Sequence, residues 1–163
     1  ATAALANRGR LVRPHLLRGV EDPETGEIRR PAEQVTEVQL GDPSQYERVI
    51  EGMIAVMHGS HGTARRAGQR LSYRIAAKTG TSQLVSLPQA GETAQDTPDH
   101  LKDHALFIAF APAERPQVAL ALIIENGGSG GKIAAPIARR ILDYYFVERL
   151  RRADLKESRY VRG

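Results

Sequence analysis

Lys78, Thr79, Gly80 and Thr81 put an ammonium, two hydroxyls and a bare backbone position into four consecutive residues. They close a short run, Tyr73-Arg74-Ile75-Ala76-Ala77, that reads as a β-strand. Residues two apart on a strand point to one side, so Thr79 and Thr81 present their hydroxyls together. Lys78 adds positive charge, and Gly80 removes a side chain where another backbone must come close. An exposed strand edge of this composition suits an extended peptide with an anionic terminus, bound by β-augmentation. An ordinary polar strand end has the same composition, and these four residues alone leave both readings open.

The elements that must position this segment are legible on either side of it. Residues 1 to 8 read as the end of a helix closed by Gly9. Leu16 to Val20 and Glu27 to Arg30 pair as a hairpin across Asp22-Pro23-Glu24-Thr25-Gly26, which is rich in turn formers. Asp42-Pro43-Ser44-Gln45 has the form of a helix start, and Tyr46, Val49, Ile50, Met53, Ile54 and Met57 then mark one apolar face up to Gly59. The spacing predicts core filler for both methionines, and Gly62 to Gly68 suggest a short helical turn. From Leu84 to Lys102 the chain turns polar and is broken by Pro88, Gly91 and Pro98; a loop that long, directly after the candidate strand, is expected to border a cleft. Ala105 to Ala111 and Val118 to Ile124 are nearly continuous apolar runs joined by Pro112-Ala113-Glu114-Arg115-Pro116, and they read as strands that need cover on both faces. A helix from about Ile133 to Arg152, with Pro136 in its first turn and Ile137, Ile141, Leu142, Tyr145 and Phe146 on one stripe, supplies cover for one face.

Composition bounds the class. A chain of 163 residues, 41% hydrophobic and 26% charged, suits one soluble globular unit with one core. Residues 1–152 form that unit and residues 153–163 a polar tail. No cysteine is present, which excludes disulfides and thiolate metal sites. No apolar run approaches the ~20 residues of a membrane span, and Ala1 begins nothing like a signal peptide. The net charge is +4, with its surplus near the C-terminus, but acidic residues interleave there and aromatics are sparse, so a nucleic-acid partner is not expected. Glu125-Asn126-Gly127-Gly128-Ser129-Gly130-Gly131-Lys132 lies where a phosphate-binding loop would sit, yet Asn126 replaces its first glycine and Ile133 follows the lysine. His58 and His61, and His100 and His104 beside Asp99 and Asp103, fall into no defined zinc motif. Neither a metal nor a cofactor is expected.

Lysine-threonine-glycine is also one of three motifs of the penicillin-recognising serine enzymes, the penicillin-binding proteins and class A β-lactamases. Further stretches resemble that family. Ala3-Ala4-Leu5-Ala6-Asn7-Arg8-Gly9 with Val12-Arg13-Pro14 resembles the helix end and turn that precede its third motif, and Gly62-Thr63-Ala64 the segment just upstream. His104 to Pro112 and Pro116 to Leu120 resemble the two strands that follow. Glu125-Asn126-Gly127-Gly128 and the final helix, with Arg140-Ile141-Leu142-Asp143, are most similar to its elongation-specific class B transpeptidases, the penicillin-binding protein 2 subgroup. The resemblance covers residues 1 to about 150. The family's nucleophile lies in Ser-x-x-Lys and its second motif is Ser-x-Asn, both ahead of Lys-Thr-Gly. No Ser-x-Asn occurs here, and the one Ser-x-x-Lys, Ser129 to Lys132, follows Lys-Thr-Gly, where a glycine-rich linker accounts for it.

The resemblance therefore implies the C-terminal part of a transpeptidase domain without its nucleophile. The implied fold is α+β, an antiparallel sheet flanked by helices, part of the penicillin-binding/β-lactamase-like transpeptidase fold. The implied reaction is acyl transfer from a D-alanyl-D-alanine stem peptide of peptidoglycan, which β-lactams imitate. In it Lys78 draws the substrate carboxylate, Thr79 and Thr81 hydrogen-bond it, and the Thr81 N–H forms half of an oxyanion hole. Lys78 and Thr81 are thus the implied catalytic residues, and Lys78, Thr79, Gly80 and Thr81 the substrate-binding set. Implied partners are the stem peptide, β-lactams, the remainder of the transpeptidase domain, and a membrane glycan polymerase of the elongation machinery. The parent protein would sit at the periplasmic face of a bacterial inner membrane. Within the same fold a D,D-carboxypeptidase or β-lactamase is the alternative, and from another class a non-catalytic peptide-binding module. Detached from its sheet neighbours, the strand from Val118 to Ile124 is expected to expose a bare edge.

Overall fold

The first 38 residues build small, mostly exposed pieces in this computed structural model, which describes residues 1–38, 40–84 and 98–149. Helix α1 spans Thr2–Ala6, followed by strand β1 at Arg10–Val12. Gly9, at φ +94°, turns the chain between them, and a Cβ there would run into the Tyr46 hydroxyl. Strands β2 (Val20–Glu21) and β3 (Ile28–Arg29) form the expected hairpin, shorter than the sequence suggests. Its turn is organised by Asp22 Oδ1, which accepts the N–H groups of Glu24 and Thr25 at 2.9 and 3.1 Å. Strand β4 (Val35–Glu37) pairs antiparallel with β1.

Helix α2 runs Ser44–His58 and stops at Gly59, as the sequence predicts. Asp42 caps its start, accepting from the Ser44 N–H at 2.9 Å. Tyr46, Ile50, Met53 and Met57 are buried, but Val49 lies at the flank of that stripe and stays about half exposed. The turn that follows, from Gly62 to Gly68, buries Ala64 and Ala67.

Strands β5 (Ala76–Ser82), β6 (His104–Ala111) and β7 (Val118–Ile124) form one antiparallel sheet in the order β5-β6-β7. Phe107 and Phe110 of β6, of opposite parity, fill cores on opposite faces. On one face α1 and α2 bring Ala6, Ile50 and Met53 against Ala76 and Phe110. On the other lies the C-terminal helix, which begins earlier than expected: a π-helical turn at Gly130–Ala134 leads into α3 (Ala135–Asp143) and a further π-helical segment, Tyr144–Arg149. Residues 150–163, including the predicted polar tail, lie outside the described residues.

The buried stripe of that helix differs from the one its large residues suggest. Ala134, Ala135, Ala138 and Leu142 have no exposed surface, whereas Ile137 and Ile141 remain open to solvent. Alanines let the helix axis approach the Phe107 face closely, and the isoleucines lie off that line of contact. A polar clamp fixes the helix: Tyr73 donates to Asp143 Oδ1 at 2.8 Å, and Arg139 bonds Asp143 and the carbonyls of Ala67 and Gln69. Burial first, then the bond to Asp143, pushes the Tyr73 phenol well above its ordinary pKa.

Candidate functional site

The Lys78 to Thr81 segment lies within β5, not past its end. The strand begins at Ala76, so Tyr73 to Ile75 lie outside its ladder with β6, although the Arg74 carbonyl accepts the Ala113 N–H at 2.9 Å. Ala76 and Ala77, both fully buried, anchor the strand, and its polar half then pairs with β6 through Lys78↔Ile108, Thr79↔Phe107, Gly80↔Leu106 and Thr81↔Ala105. Among the described residues β5 has a neighbour on one side only, which leaves the other margin open. Lys78 and Thr81 are exposed, Thr79 and Gly80 partly so.

Alternation divides the four residues between the faces. Ala76 belongs to the core under α1 and α2, Ala77 to the core under α3, so Lys78 turns toward α2 and Thr79 toward the helix starting at Gly130. Lys78 lines a groove of about 400 Å³ with Gly52, Val56 and the Gly59 to Thr63 segment. Its Nζ donates to the Thr79 carbonyl at 2.6 Å. Thr79 Oγ1 lies 2.9 Å from Thr63 Oγ1, a hydrogen bond that joins β5 to the turn after α2. The backbone that comes close to Gly80 is the chain's own: a Cβ on Gly130 would press on the Gly80 and Leu106 carbonyl oxygens. A Cβ on Gly80 would sit 3.0 Å from that of Leu106.

Three supports of this margin escape sequence reasoning. Thr63 is one, signalled only by its place in Gly62-Thr63-Ala64. His58 is another: its Nε2 accepts the Ile75 N–H at 3.0 Å and so ties the lead-in of β5 to the end of α2. Burial, and secondarily the Arg74 charge, hold its pKa below the ordinary value, with Glu114 pulling the other way. The third is Asn126. At φ +55° it donates through Nδ2 to the carbonyls of His100 and Lys102 at 2.9 and 3.0 Å, and through its backbone N–H to His104 Nδ1 at 3.0 Å. Together with the Leu84 N–H on Asp103 Oδ1 and the Gly128 N–H on the Asp103 carbonyl, it closes the base of the expected long loop. Residues 85–97 of that loop, where a border to the cleft was expected, lie outside the described residues.

The remaining motifs have local duties. Ser129 Oγ accepts the Lys132 N–H at 3.4 Å, capping the turn that opens the C-terminal helix. His58 and His104 each accept a backbone N–H, and among the described residues no three His, Cys, Asp or Glu side chains gather. No helix among the described residues is long and apolar enough to cross a membrane.

Comparison with known proteins adds an independent finding. The family model described as the penicillin binding protein transpeptidase domain matches residues 1–143. Peptidoglycan D,D-transpeptidase MrdA of Salmonella typhimurium is 42% identical over 149 residues, covering 90% of this chain and 24% of that protein. The Escherichia coli protein of the same name is 39% identical over 148 residues, 88% of this chain and 23% of its own. A crystal structure of Pseudomonas aeruginosa penicillin-binding protein 2 superimposes with a TM-score of 0.70 at 38% identity, over 90% of this chain and 28% of that one. The ceftriaxone acyl-enzyme of Mycobacterium tuberculosis penicillin-binding protein A gives 0.65 at 31% identity, over 87% and 30%. The chain thus spans about a quarter of the length of the curated relatives it matches.

Proposed function

Because this chain belongs to the penicillin-binding protein transpeptidase family, we propose that it is the Lys-Thr-Gly-bearing part of a peptidoglycan D,D-transpeptidase like penicillin-binding protein 2. The observation that carries the reading is the open margin of β5, with an ammonium and two alcohols in the middle of the strand. An extended stem peptide adds to that margin as a further strand. Lys78 supplies the field that holds its terminal carboxylate, and the hydroxyls of Thr79 and Thr81 hydrogen-bond it. Thr63, bonded to Thr79 Oγ1, fixes the rotamer of that hydroxyl. The Thr81 N–H is half of an oxyanion hole, completed by the nucleophile's own N–H from a segment outside this sequence; one such donor contributes about 2.7–4 kcal/mol to the transition state. That nucleophile attacks the penultimate D-alanine carbonyl and expels the last D-alanine, and an amine of a neighbouring stem then takes the acyl group. β-Lactams enter by the same route and stall at the acyl-enzyme.

In this reading residues 1–152 complete a transpeptidase domain begun elsewhere in the polypeptide. The parent protein works at the periplasmic face of the inner membrane beside a membrane glycan polymerase. This chain by itself, lacking Ser-x-x-Lys ahead of β5, forms no acyl-enzyme. The test is labelling by a fluorescent penicillin. The full-length protein should label and its Lys78→Ala variant should lose on the order of 100-fold or more in acylation rate with its melting temperature unchanged. Near-normal acylation of that variant removes Lys78 from the site. A labelled band from the 163-residue chain alone, surviving denaturation, overturns the assignment of the nucleophile to another segment.

A further inference from the structure

Beyond Thr79, on the side of the sheet covered by the C-terminal helix, lies a second concavity of about 510 Å³. The turn after α2 walls it on one side, and Gly131, Lys132 and Pro136 on the other. Arg65, Arg66 and Lys132 line it, and among the described residues no acidic side chain does. Arg65 is engaged, donating through Nη1 to the Ser60 carbonyl at 2.9 Å. The side chains of Arg66 and Lys132 are exposed and make no ion pair or hydrogen bond among the described residues. Cations of one sign around a recess with no counter-charge repel one another, and an anion placed between them relieves that repulsion.

The recess begins where the proposed peptide site ends. Thr63 lines both it and the Lys78 groove, and carries the hydrogen bond to Thr79. Gly131 passes so near that a Cβ on it would lie 3.7 Å from Thr79 Cγ2. An anion seated there shares Thr63 with the Thr79 hydroxyl, so a peptide laid along β5 is the ligand placed to supply it. We propose that Arg66 and Lys132 form a subsite for a second carboxylate of the bound peptide, separate from the terminal carboxylate held by Lys78, Thr79 and Thr81. The proposal rests on the reading of β5 as the terminus-binding strand. It assigns to these two cations the choice between an acidic peptide donor and its neutral counterpart.

The experiment uses the full-length protein and two donor peptides that end alike but differ in one upstream group, carboxylate in one and carboxamide in the other. The unmodified protein should favour the carboxylate donor. In the Arg66→Ala/Lys132→Ala variant that preference should fall about tenfold, through KM and not kcat, and more weakly at high salt. Arg66→Lys/Lys132→Arg should keep it. Acylation by a penicillin with a single carboxylate should stay within about twofold, because that ligand offers the subsite nothing. Equal loss on both donors, or no loss on either, overturns the subsite. A parallel fall in penicillin acylation also overturns it, since the two cations would then serve the terminal carboxylate. A lowered melting temperature in the double alanine variant does the same, because it would mean that they pair with acids elsewhere in the polypeptide. Failure of the strand reading shows separately, as undiminished penicillin acylation in Lys78→Ala.

Discussion

The sheet has two margins, β5 and β7, and both leave one side of a strand unpaired among the described residues. Their side chains differ completely. Along β5 the outer half is Lys78, Thr79, Gly80, Thr81 and Ser82, polar on both faces and bonded through Thr79 to Thr63, while His58 holds the lead-in at Ile75. Along β7 every other residue packs into the core, while Ala119, Ala121 and Ile123 point outward, Ile123 with 61% of its surface exposed. The open backbone groups are the same; what differs is the partner they are prepared for. In the proposed reading, the polar margin with its cation admits a ligand that comes and goes. An apolar one is a face for permanent cover, and left bare it invites association.

The polar margin is most sensitive where it is thinnest. Gly130→Ala drives a methyl into the Gly80 and Leu106 carbonyls, which are backbone and cannot swing aside. Overpacking of this kind costs about 1–3 kcal/mol, so the full-length protein should melt several degrees lower and acylate penicillin more slowly as β5 shifts. An unchanged melting curve would place the Gly130 to Ala134 turn away from the strand. The apolar margin is probed by the 163-residue chain alone, which should sediment as concentration-dependent oligomers. Ile123→Lys, a charge on the bare edge, should weaken that association by about tenfold. Oligomers indifferent to Ile123→Lys would assign the contact to another surface.

How much of this is readable from residues alone follows from the range of the contacts. β6 and β7 announce themselves as apolar runs, and α2 carries both its start and its stop in local chemistry, Asp42 and Gly59. The extent of β5 is not readable, because Lys78 to Ser82 are ordered by a partner more than twenty residues away and not by their own propensity. The stripe of α3 misleads for a related reason. Residue size points to Ile137 and Ile141, whereas the distance of approach to Phe107 selects Ala134, Ala135 and Ala138. Asn126 and His58 act across 17 to 26 residues, on backbone groups that no pattern in the sequence marks. The Lys78 to Thr81 motif is legible because its chemistry is compressed into four neighbours; its supports are not, because they come from elsewhere in the chain.

Thr63 sharpens the contrast at smaller scale. Removing its hydroxyl in Thr63→Val leaves Thr79 Oγ1 without its fixed partner, and a net hydrogen bond of about 1 kcal/mol is at stake. Penicillin acylation should fall by about fivefold, with Thr63→Ser near normal and the melting temperature of Thr63→Val lowered less than that of Gly130→Ala. If valine and serine behave alike, the Thr63–Thr79 bond has no part in orienting the margin.

The smallest effect concerns pH and the root of the same strand. His58 accepts the Ile75 N–H only as neutral imidazole, since the protonated ring has no acceptor. Burial, then the Arg74 charge, lower its folded pKa below the ordinary value of 6.5. The unfolded chain therefore binds this proton more readily than the folded one. Stability from the neutral ring is complete above 6.5 and is lost as pH falls through that value toward the lower folded pKa. His58 is largely exposed, so solvent screens the effect to less than about 1 kcal/mol. Urea melts of the full-length protein and of His58→Gln between about pH 8 and pH 5 isolate it. The original protein should be the more stable at the alkaline end, and the gap should narrow toward pH 5. A gap that does not change with pH would mean that β5 is held at Ile75 by something other than this imidazole, and the polar margin would then owe its order to Thr63 and Gly130 alone.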